Sequence, residues 1–402
     1  MLHPQSAAPE KRALAAQMRT QDPLHQANYF NINWKNPNTG KTNYFVMPKS
    51  LTGVDAEIVV LTAKDFPTGS HKVGPAYSCM IERYVAGDIE PGNHTLVFPS
   101  TGNYGIGGSW VGPRAGFKSM VILPEGMSRE RFEKIESYGA TYTKTYGSES
   151  NVKEIYDMCA ALDRDPANII FNQFCEFGNY VVHRACTGAA VQRVFGQLAE
   201  GHPATRLAAF VAATGSAGTL AAGDHLKAEF GTKIVAVEAA ECPTLLCNGF
   251  GEHNIQGIGD KHIPFIHNVM NTDVVVGVSD HATDTLFVLF NTAEGRKYLV
   301  ERRGLDANLV SQLGNFGLSG LCNILAAIKS AKYFDLGPDD VIVTVSTDGG
   351  QMYGSEVDKA LRRYFGNRFD AVTAGEVWGQ SLAAATTDNL LELSHIDRKR
   401  IF

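Results

Sequence analysis

The sequence lacks any apolar run of the roughly 18–20 residues that a membrane-spanning helix requires. Its first residues contain no apolar segment of the secretory kind, so no secretory signal is expected. Long basic runs are also absent, and 42 acidic side chains outnumber 36 basic ones, which gives a net charge of −6. A dedicated nucleic-acid-binding protein would carry a basic stripe. Neither a membrane nor a nucleic acid is therefore an expected partner.

Cysteine pairs of the CxxC type are missing as well. Seven cysteines are scattered through the chain, and an odd number without such a pair is typical neither of a disulfide framework nor of a zinc site. The spacing of His253, His262 and His267 does not match a metal site on one face of a helix. We therefore predict no metal, and reduced thiols in a cytoplasmic protein.

Short apolar segments, by contrast, recur along the 402 residues from about residue 56 onward. Each is rich in β-branched residues and apolar on both faces, as buried parallel strands are. Segments with helical periodicity, such as 128–138 and 181–199, lie between them. This alternation predicts an α/β fold with a parallel sheet. The apolar segments are 57–63, 95–100, 119–124, 168–174, 207–214, 233–240 and 340–346.

The turns that follow these predicted strands are the places to search for a site, because ligands of open α/β sheets bind beyond the carboxyl ends of the strands. The first turn, 66–75, places Lys72 at the start of a predicted helix. A cation is unfavourable there, because the helix dipole attracts anions. Such a lysine is either turned into solvent or functional, and a desolvated lysine is a nucleophile for carbonyl groups.

The second turn, 99–107, brings hydroxyls, a carboxamide and glycine backbone to one strand–helix junction. This combination suits a carboxylate or phenolate oxygen, and helix capping with a glycine-dependent turn explains it equally well. The candidate residues are Ser100, Thr101, Gly102, Asn103 and Tyr104.

The third turn, 213–220, consists of small residues and hydroxyls before a predicted helix. Its backbone can approach an anion closely, and the helix directs N–H groups at it, which suits a phosphate monoester. The residues are Gly215, Ser216, Ala217, Gly218 and Thr219. The GxGxxG pattern of dinucleotide sites fails at Trp110 and the Walker pattern fails at Lys35, so neither a dinucleotide nor a nucleoside triphosphate is expected.

The fourth turn, 345–353, places Thr347 and Asp348 after a further apolar strand. One lysine, one cradle for a carboxylate and one for a phosphate form an informative set. Pyridoxal phosphate has an aldehyde that reacts with a lysine and a phosphate that binds at a helix N-terminus. The set therefore predicts this cofactor.

The order of these motifs resembles the cysteine synthase/cystathionine β-synthase group of fold type II pyridoxal-phosphate enzymes, within the tryptophan synthase β-like superfamily. The resemblance covers about residues 56–360. It implies that Lys72 is the Schiff-base lysine and that Thr101 and Gln173 bind the substrate carboxylate. It further implies that Asn103 binds the cofactor's phenolic oxygen and that 215–219 bind the phosphate. The stretch 253–264 is similar to a family segment whose backbone lies near the cofactor.

Two positions depart from the family pattern. Tyr104 stands where the synthases usually carry a small hydroxyl residue, which reshapes the pocket beside the carboxylate. The serine that contacts the pyridine nitrogen is replaced by Gly349, Asp348 or Thr347, depending on a one-residue gap. A hydroxyl there leaves the nitrogen largely unprotonated, whereas a carboxylate holds a pyridinium.

The resemblance implies a two-lobed α/β chain with mostly parallel sheets flanked by helices. Residues 1–55 are predicted as an N-terminal extension, and 56–93 with 196–366 as the larger, cofactor-binding domain. Residues 94–195 are predicted as the smaller, substrate-carboxylate domain, and 367–402 as a C-terminal helical tail. The apolar face of that tail could dock on a second subunit, and the family similarly forms homodimers.

The resemblance also implies a reaction on a small β-substituted amino acid. Lys72 removes the α-proton, a group leaves Cβ to give an aminoacrylate, and a nucleophile adds, as in cysteine synthase. Two alternatives stand beside this β-replacement: β-elimination that releases pyruvate and ammonia, and a catalytically silent relative that binds the cofactor or a metabolite. The sequence leaves open the leaving group, the nucleophile, the stereochemical preference and the roles of both extensions.

Overall fold

The computed structural model describes residues 6–100, 102–147, 151–259 and 261–402. The strands are β1 Tyr44–Val46, β2 Glu57–Thr62, β3 Thr95–Pro99, β4 Lys118–Pro124, β5 Thr141–Thr145, β6 Asn168–Ile170, β7 Arg206–Ala213, β8 Lys233–Ala239, β9 Val274–Val278, β10 Asp340–Ser346 and β11 Leu390–Glu392. The helices are α1 Pro9–Gln21, α2 Lys49–Thr52, α3 Val73–Ala86, α4 Asn103–Arg114, α5 Arg129–Ser137, α6 Val152–Leu162, α7 Phe177–Val182, α8 Gly188–Leu198, α9 Ala221–Phe230, α10 Thr244–Cys247, α11 Asp280–Asn291, α12 Ala293–Glu301, α13 Ala307–Leu313, α14 Leu318–Tyr333, α15 Gly354–Phe365, α16 Ala371–Val377 and α17 His395–Ile401.

The larger sheet has the strand order β1-β2-β10-β7-β8-β9-β11. Its five central strands run parallel, and the two edge strands β1 and β11 run antiparallel to their neighbours. Every residue of β9 and β10 is buried, as the apolar, β-branched sequences predict for strands covered on both faces. The predicted α/β class with mostly parallel sheets is confirmed.

The smaller sheet is wholly parallel, with the order β5-β4-β3-β6. Its strands lie between residues 95 and 170, whereas the larger sheet is built from segments on both sides of that stretch. Strand membership does not decide where a domain ends, so the boundaries predicted at 94 and 195 stay predictions.

Helices α3 and α4 cross so closely that glycine is needed at the contact. A Cβ at Gly107 of α4 would lie 3.0 Å from both the Lys72 carbonyl oxygen and Val73 Cα. The same crossing brings the beginning of α3, which follows β2 in the larger sheet, next to the beginning of α4, which follows β3 in the smaller one. Two of the four predicted turns therefore meet.

The C-terminal segment is only partly helical, which corrects the prediction for 367–402. Strand β11 pairs with β9 and completes the larger sheet before α17 begins. Leu393 and Ile401 are buried in the core, and the Arg398 side chain donates to the Thr272 carbonyl oxygen at 2.8 Å. Apolar side chains of the tail thus pack on their own chain. In the ranges described above, no helix is both long and apolar enough to span a bilayer.

Candidate active site

One pocket is lined by residues from turns that follow strands of both sheets. Lys72 directly precedes α3, Ser100 follows β3, and Gly215 lies two residues after β7. The carboxyl ends of parallel strands are where α/β folds bind ligands, and these three turns converge as predicted. The lining residues are Lys72, Ser100, Asn103, Tyr104, Gln173, Phe174, Gly215, Ser216, Gly257, Ile258 and Gly259.

The amine of Lys72 lies between two of the predicted binding elements. Its Nζ donates to Gln173 Oε1 at 3.1 Å and to Ser216 Oγ at 2.9 Å. Gln173 is the predicted carboxylate residue, and Ser216 belongs to the predicted phosphate loop. The half-buried amine is therefore placed to meet a ligand that contacts both.

The loop before α4 has a backbone that glycine makes possible. Gly102 has a φ of +157°, and a Cβ on it would lie 2.0 Å from a guanidinium nitrogen of the buried Arg131. The Gly102 N–H donates to Ser100 Oγ at 2.9 Å, so the Ser100 side chain holds the turn. Thr101, predicted to bind the substrate carboxylate, lies outside the described residues.

Asn103 is joined to Asp348 across the two sheets. Asn103 Nδ2 donates to Asp348 Oδ2 at 2.6 Å, and the Asp348 side chain is buried with a relative exposure of 1%. Burial raises the pKa of Asp348, while Arg131 and the hydrogen bonds from Tyr353 and Asn103 act in the opposite direction. Asn103 Oδ1 is buried and has no hydrogen-bond partner among the described residues, so it has capacity for a further group.

Thr347 and Asp348, both predicted to contact the cofactor, are not among the described residues that line the pocket. The Thr347 hydroxyl is 2.7 Å from Ser319 Oγ, in the first turn of α14. Gly349, the third residue considered for the pyridine nitrogen, has no side chain, and its N–H donates to the Gly69 carbonyl oxygen. The hydroxyl pair of Thr347 and Ser319 could not be predicted, because α14 lies far from the 345–353 turn in sequence.

The loop 215–219 has the backbone of an anion-binding site. Ala217 adopts the left-handed conformation (φ 61°, ψ 2°), and the Leu220 N–H donates to the Ala217 carbonyl oxygen. A left-handed residue between right-handed ones turns successive N–H groups toward one concave side. Helix α9 begins directly after the loop and adds the positive end of its dipole. The donor set fits a phosphate.

Asn179 is a site residue that the sequence did not reveal. Its Nδ2 donates to the Gln173 carbonyl oxygen and to Ser216 Oγ, both at 2.9 Å. A Cβ on Gly218 would lie 2.1 Å from Asn179 Oδ1, so glycine is required for this contact. Asn179 thus ties the predicted carboxylate residue to the predicted phosphate loop, but it lies within α7 and outside every recognisable motif.

Tyr104 contributes an apolar wall. Its ring packs edge-on against Phe98 with centroids 5.6 Å apart, and its buried hydroxyl lies beside the Cys79 thiol but has no hydrogen-bond partner of good geometry among the described residues. Burial raises the pKa of Tyr104 well above its usual value, and raises that of the neighbouring Cys79 thiol to about 12. Both groups are therefore neutral at physiological pH.

Comparison with known proteins identifies the family. A family model described as "Pyridoxal-phosphate dependent enzyme" matches residues 45–296. The chain belongs to this family. It is 31% identical over 300 residues to a cysteine synthase of Staphylococcus aureus (strain N315), which covers 74% of this chain and 87% of the relative. It is 26% identical over 353 residues to cystathionine beta-synthase of Saccharomyces cerevisiae, which covers 85% of this chain and 65% of the relative.

Two solved structures show the same fold. O-acetyl serine sulfhydrylase isoform 3 of Entamoeba histolytica superimposes with a TM-score of 0.67 at 22% identity, covering 85% of this chain and 94% of that one. A hydrogen sulfide-producing enzyme of Fusobacterium nucleatum superimposes with a TM-score of 0.66 at 22% identity, covering 80% and 97%. The predicted resemblance and the two-lobed fold type are confirmed.

The chain is accordingly an enzyme whose cofactor is pyridoxal 5′-phosphate. The structure fits this group on two counts: a lysine amine inside the pocket and an anion-binding loop beside it. No group of three or more His, Cys, Asp or Glu side chains in the described ranges is arranged to hold a metal ion. The activities compatible with the relatives are β-replacement and lyase reactions.

Proposed function

We propose that this enzyme catalyses β-replacement on a small β-substituted amino acid. The observation that carries the proposal is the position of Lys72 Nζ, hydrogen-bonded to both Gln173 and Ser216. A substrate held by its carboxylate near Gln173 and by the cofactor near Ser216 has its Cα beside this amine. The similarity to cysteine synthases supports the second half of the reaction.

Four sets of residues would hold the cofactor and the substrate. Residues 215–219 bind the phosphate, Lys72 bonds to the aldehyde carbon, and Asn103 binds the phenolic oxygen. The substrate carboxylate binds to the 100–103 turn and to Gln173. When bound, pyridoxal 5′-phosphate supplies a ring that stabilises negative charge at the substrate Cα.

The protein side chains supply orientation and proton transfer. Lys72 Nζ accepts the proton from Cα and returns it later, a role that typically contributes about 10²–10⁴-fold in rate. Gln173 and the 100–103 turn would fix the carboxylate, and a substrate held in this orientation would lose the Cα proton to Lys72 in preference to its carboxylate. Asn179, through its bonds to Gln173 and Ser216, keeps the two binding elements in register.

The second candidate is β-elimination, and Tyr104 favours it. Its buried ring makes the wall beside the carboxylate turn apolar, where a hydroxyl is usual in the synthases. An apolar wall offers no hydrogen bond to an incoming polar nucleophile. If that loss dominates, water completes the reaction and pyruvate and ammonia are released.

Product analysis separates these candidates. The purified enzyme is incubated with O-acetylserine, O-phosphoserine or cysteine, with and without sulfide, and amino-acid product, pyruvate and ammonia are measured. We expect a new β-substituted amino acid that depends on sulfide, and little pyruvate. Pyruvate formed at the same rate with and without sulfide would favour elimination, and no product from any substrate would favour a silent relative.

The proposal includes three further features of the protein. We propose a homodimer and a cytoplasmic location, supported by the family resemblance, and the two-domain division at 94 and 195. Light scattering of the purified chain tests the first, because a monomeric mass contradicts it. Limited proteolysis that cuts outside the proposed boundaries contradicts the last.

A further inference from the structure

His71, the residue before the proposed cofactor lysine, is buried against the phosphate loop with a relative exposure of 2%. Its Nε2 lies 3.0 Å from Thr219 Oγ1, and its Nδ1 lies 3.1 Å from the Thr347 carbonyl oxygen. Both ring nitrogens are thus occupied, one by the phosphate loop and the other by the turn after β10. Because neighbours along a helix usually point apart, the sequence left two roles for His71 equally open: a position near the cofactor phosphate, and a purely structural one.

These two contacts determine where the protons are. A carbonyl oxygen only accepts hydrogen bonds, so Nδ1 carries the ring proton of the neutral histidine. Nε2 is then an acceptor, and the Thr219 hydroxyl donates to it. A hydroxyl has a single proton, so Thr219 turns only lone pairs toward the rest of the 215–219 loop.

In this arrangement no proton is available for a hydrogen bond between Thr219 Oγ1 and a bound phosphate. A phosphate monoester is largely dianionic above its second pKa of about 6, and its oxygens then only accept hydrogen bonds. Two acceptors, Thr219 Oγ1 and a phosphate oxygen, would face each other. Addition of one proton to the chain formed by His71, Thr219 and the phosphate removes the conflict.

We propose that His71 is a positioning residue that couples cofactor binding to the uptake of one proton. The inference rests on the proposed function, because it requires the cofactor phosphate at 215–219. With the proton on Nε2, Nε2–H donates to Thr219 Oγ1 and the Thr219 hydroxyl donates to the phosphate. With the proton on a phosphate oxygen, that O–H donates to Thr219 Oγ1 and the histidine stays neutral. Both forms contain the same number of protons.

The surroundings of His71 keep the ring neutral until an anion arrives. Burial and the adjacent Lys72 lower the pKa of His71 to about 3, against a weaker opposing effect of the Thr347 carbonyl. The other titratable or charged groups that face the ring are His183, with ring centroids 4.9 Å apart, and Lys35, Cys186 and Arg193 around the small cavity behind it. None of these is an anion at neutral pH, so the phosphate is the charge that favours the added proton.

His183 provides a matched control. It is as buried as His71 and packs against it with the two rings tilted by 52°, but its Nδ1 contacts Thr187 Oγ1 at 3.0 Å rather than the phosphate loop. Burial, together with His71 and Lys72, lowers its pKa well below the usual value. Replacement of either histidine removes a buried ring, and only replacement of His71 removes the acceptor for Thr219.

The test measures protons taken up as pyridoxal 5′-phosphate binds the full-length apo-enzyme. Calorimetry at pH 8 in two buffers of different ionisation enthalpy gives the number directly. We expect His71→Phe and His71→Leu each to take up about one proton fewer than the wild type. His183→Phe should take up the same number of protons as the wild type. The cofactor Kd should also depend on pH more strongly in the wild type than in His71→Phe. Between pH 7 and 9, the ratio of the wild-type Kd to the His71→Phe Kd should rise about tenfold for each pH unit.

Equal proton uptake by the wild type and the folded His71 variants would overturn the inference. A wild-type enzyme that takes up no proton at pH 8 would overturn it without any variant. If His183→Phe also takes up about one proton fewer than the wild type, the inference is contradicted as well. The change in proton uptake would then result from disrupted packing of the two rings and not from loss of the acceptor for Thr219. Failure of the wild type to form a covalent bond between Lys72 and the cofactor would instead contradict the proposed function.

Discussion

The two ends of the pocket are built from different groups. At the 215–219 loop the donors are backbone N–H groups set by a left-handed Ala217 and the start of α9. At the other end, Asn103, Arg131, Asp348 and Tyr353 form a buried cluster of side chains from three segments that are separate in sequence. A backbone site depends on small residues in a short stretch of sequence, whereas a side-chain site depends on tertiary packing. The backbone site should therefore be disrupted by added side-chain volume, and the side-chain site by loss of a polar group.

The largest effect on cofactor affinity is expected from Gly218→Ala at the backbone end. The new methyl would lie 2.1 Å from Asn179 Oδ1, which would push the loop away from Asn179 and distort its phosphate-binding backbone. Overpacking of this kind costs about 1–3 kcal/mol, so we expect cofactor affinity to fall by about 10- to 100-fold. Fluorescence titration with pyridoxal 5′-phosphate measures the change.

Gly196→Ala is the matched control for this substitution. Gly196 lies in α8 with no atom within 4 Å of the position of a Cβ. We expect wild-type cofactor affinity and slightly higher stability, because alanine is the better helix former. Equal affinities for the two alanine variants would show that the loop tolerates added volume, and the contrast between the two ends would fail.

Asp348→Ala should act on stability at the side-chain end. The substitution removes the acceptor of Asn103 Nδ2 and a carboxyl group that lies 3.9 Å from the Arg131 guanidinium. A buried polar group left without its partner costs about 1–3 kcal/mol, which thermal unfolding of the apo-enzyme detects as a lower Tm. Asp358→Ala, at an exposed position on α15, should leave Tm unchanged. A Tm for Asp348→Ala equal to that of the control would mean that the cluster contributes nothing.

The smallest effect is expected from Tyr104→Phe. The tyrosine hydroxyl has no hydrogen-bond partner among the described residues, and its ring packs on Phe98. We expect kcat/KM within about twofold of the wild type, since the ring and its packing remain. Tyr104→Ala removes the ring and should destabilise the fold by about 3–5 kcal/mol. A tenfold loss of kcat/KM in Tyr104→Phe would contradict this expectation and would indicate that the hydroxyl binds the substrate.

The same contrast explains what could be predicted from the sequence. The 215–219 loop and Lys72 follow apolar strands as contiguous motifs, and the structure places both at one pocket. The contacts of Thr347 and Asp348 depend instead on which way two neighbouring side chains turn, because Thr347 contacts Ser319 and Asp348 contacts Asn103. Such directions are set by distant partners such as Ser319, which no local pattern reveals.

Asn179 and β11 were missed, and the role of His71 was left open, for the same physical reason. Asn179 and His71 act through contacts with residues distant in sequence, and β11 becomes a strand by pairing with β9. The segment 379–402 has roughly helical spacing of its apolar residues, and an edge position on the sheet overrides that weak preference. Local periodicity therefore predicted the central strands well and the edge of the sheet poorly.

The central claim is that the amine of Lys72 bonds to the cofactor between Gln173 and Ser216. Borohydride reduction of the purified enzyme followed by peptide mass spectrometry tests it most directly, with Lys72→Ala and the exposed Lys49→Ala as the pair of variants. We expect the phosphopyridoxyl group on Lys72 in the wild type and in Lys49→Ala, and no modified peptide in Lys72→Ala. A modified lysine at any other position in the wild-type enzyme would contradict the account.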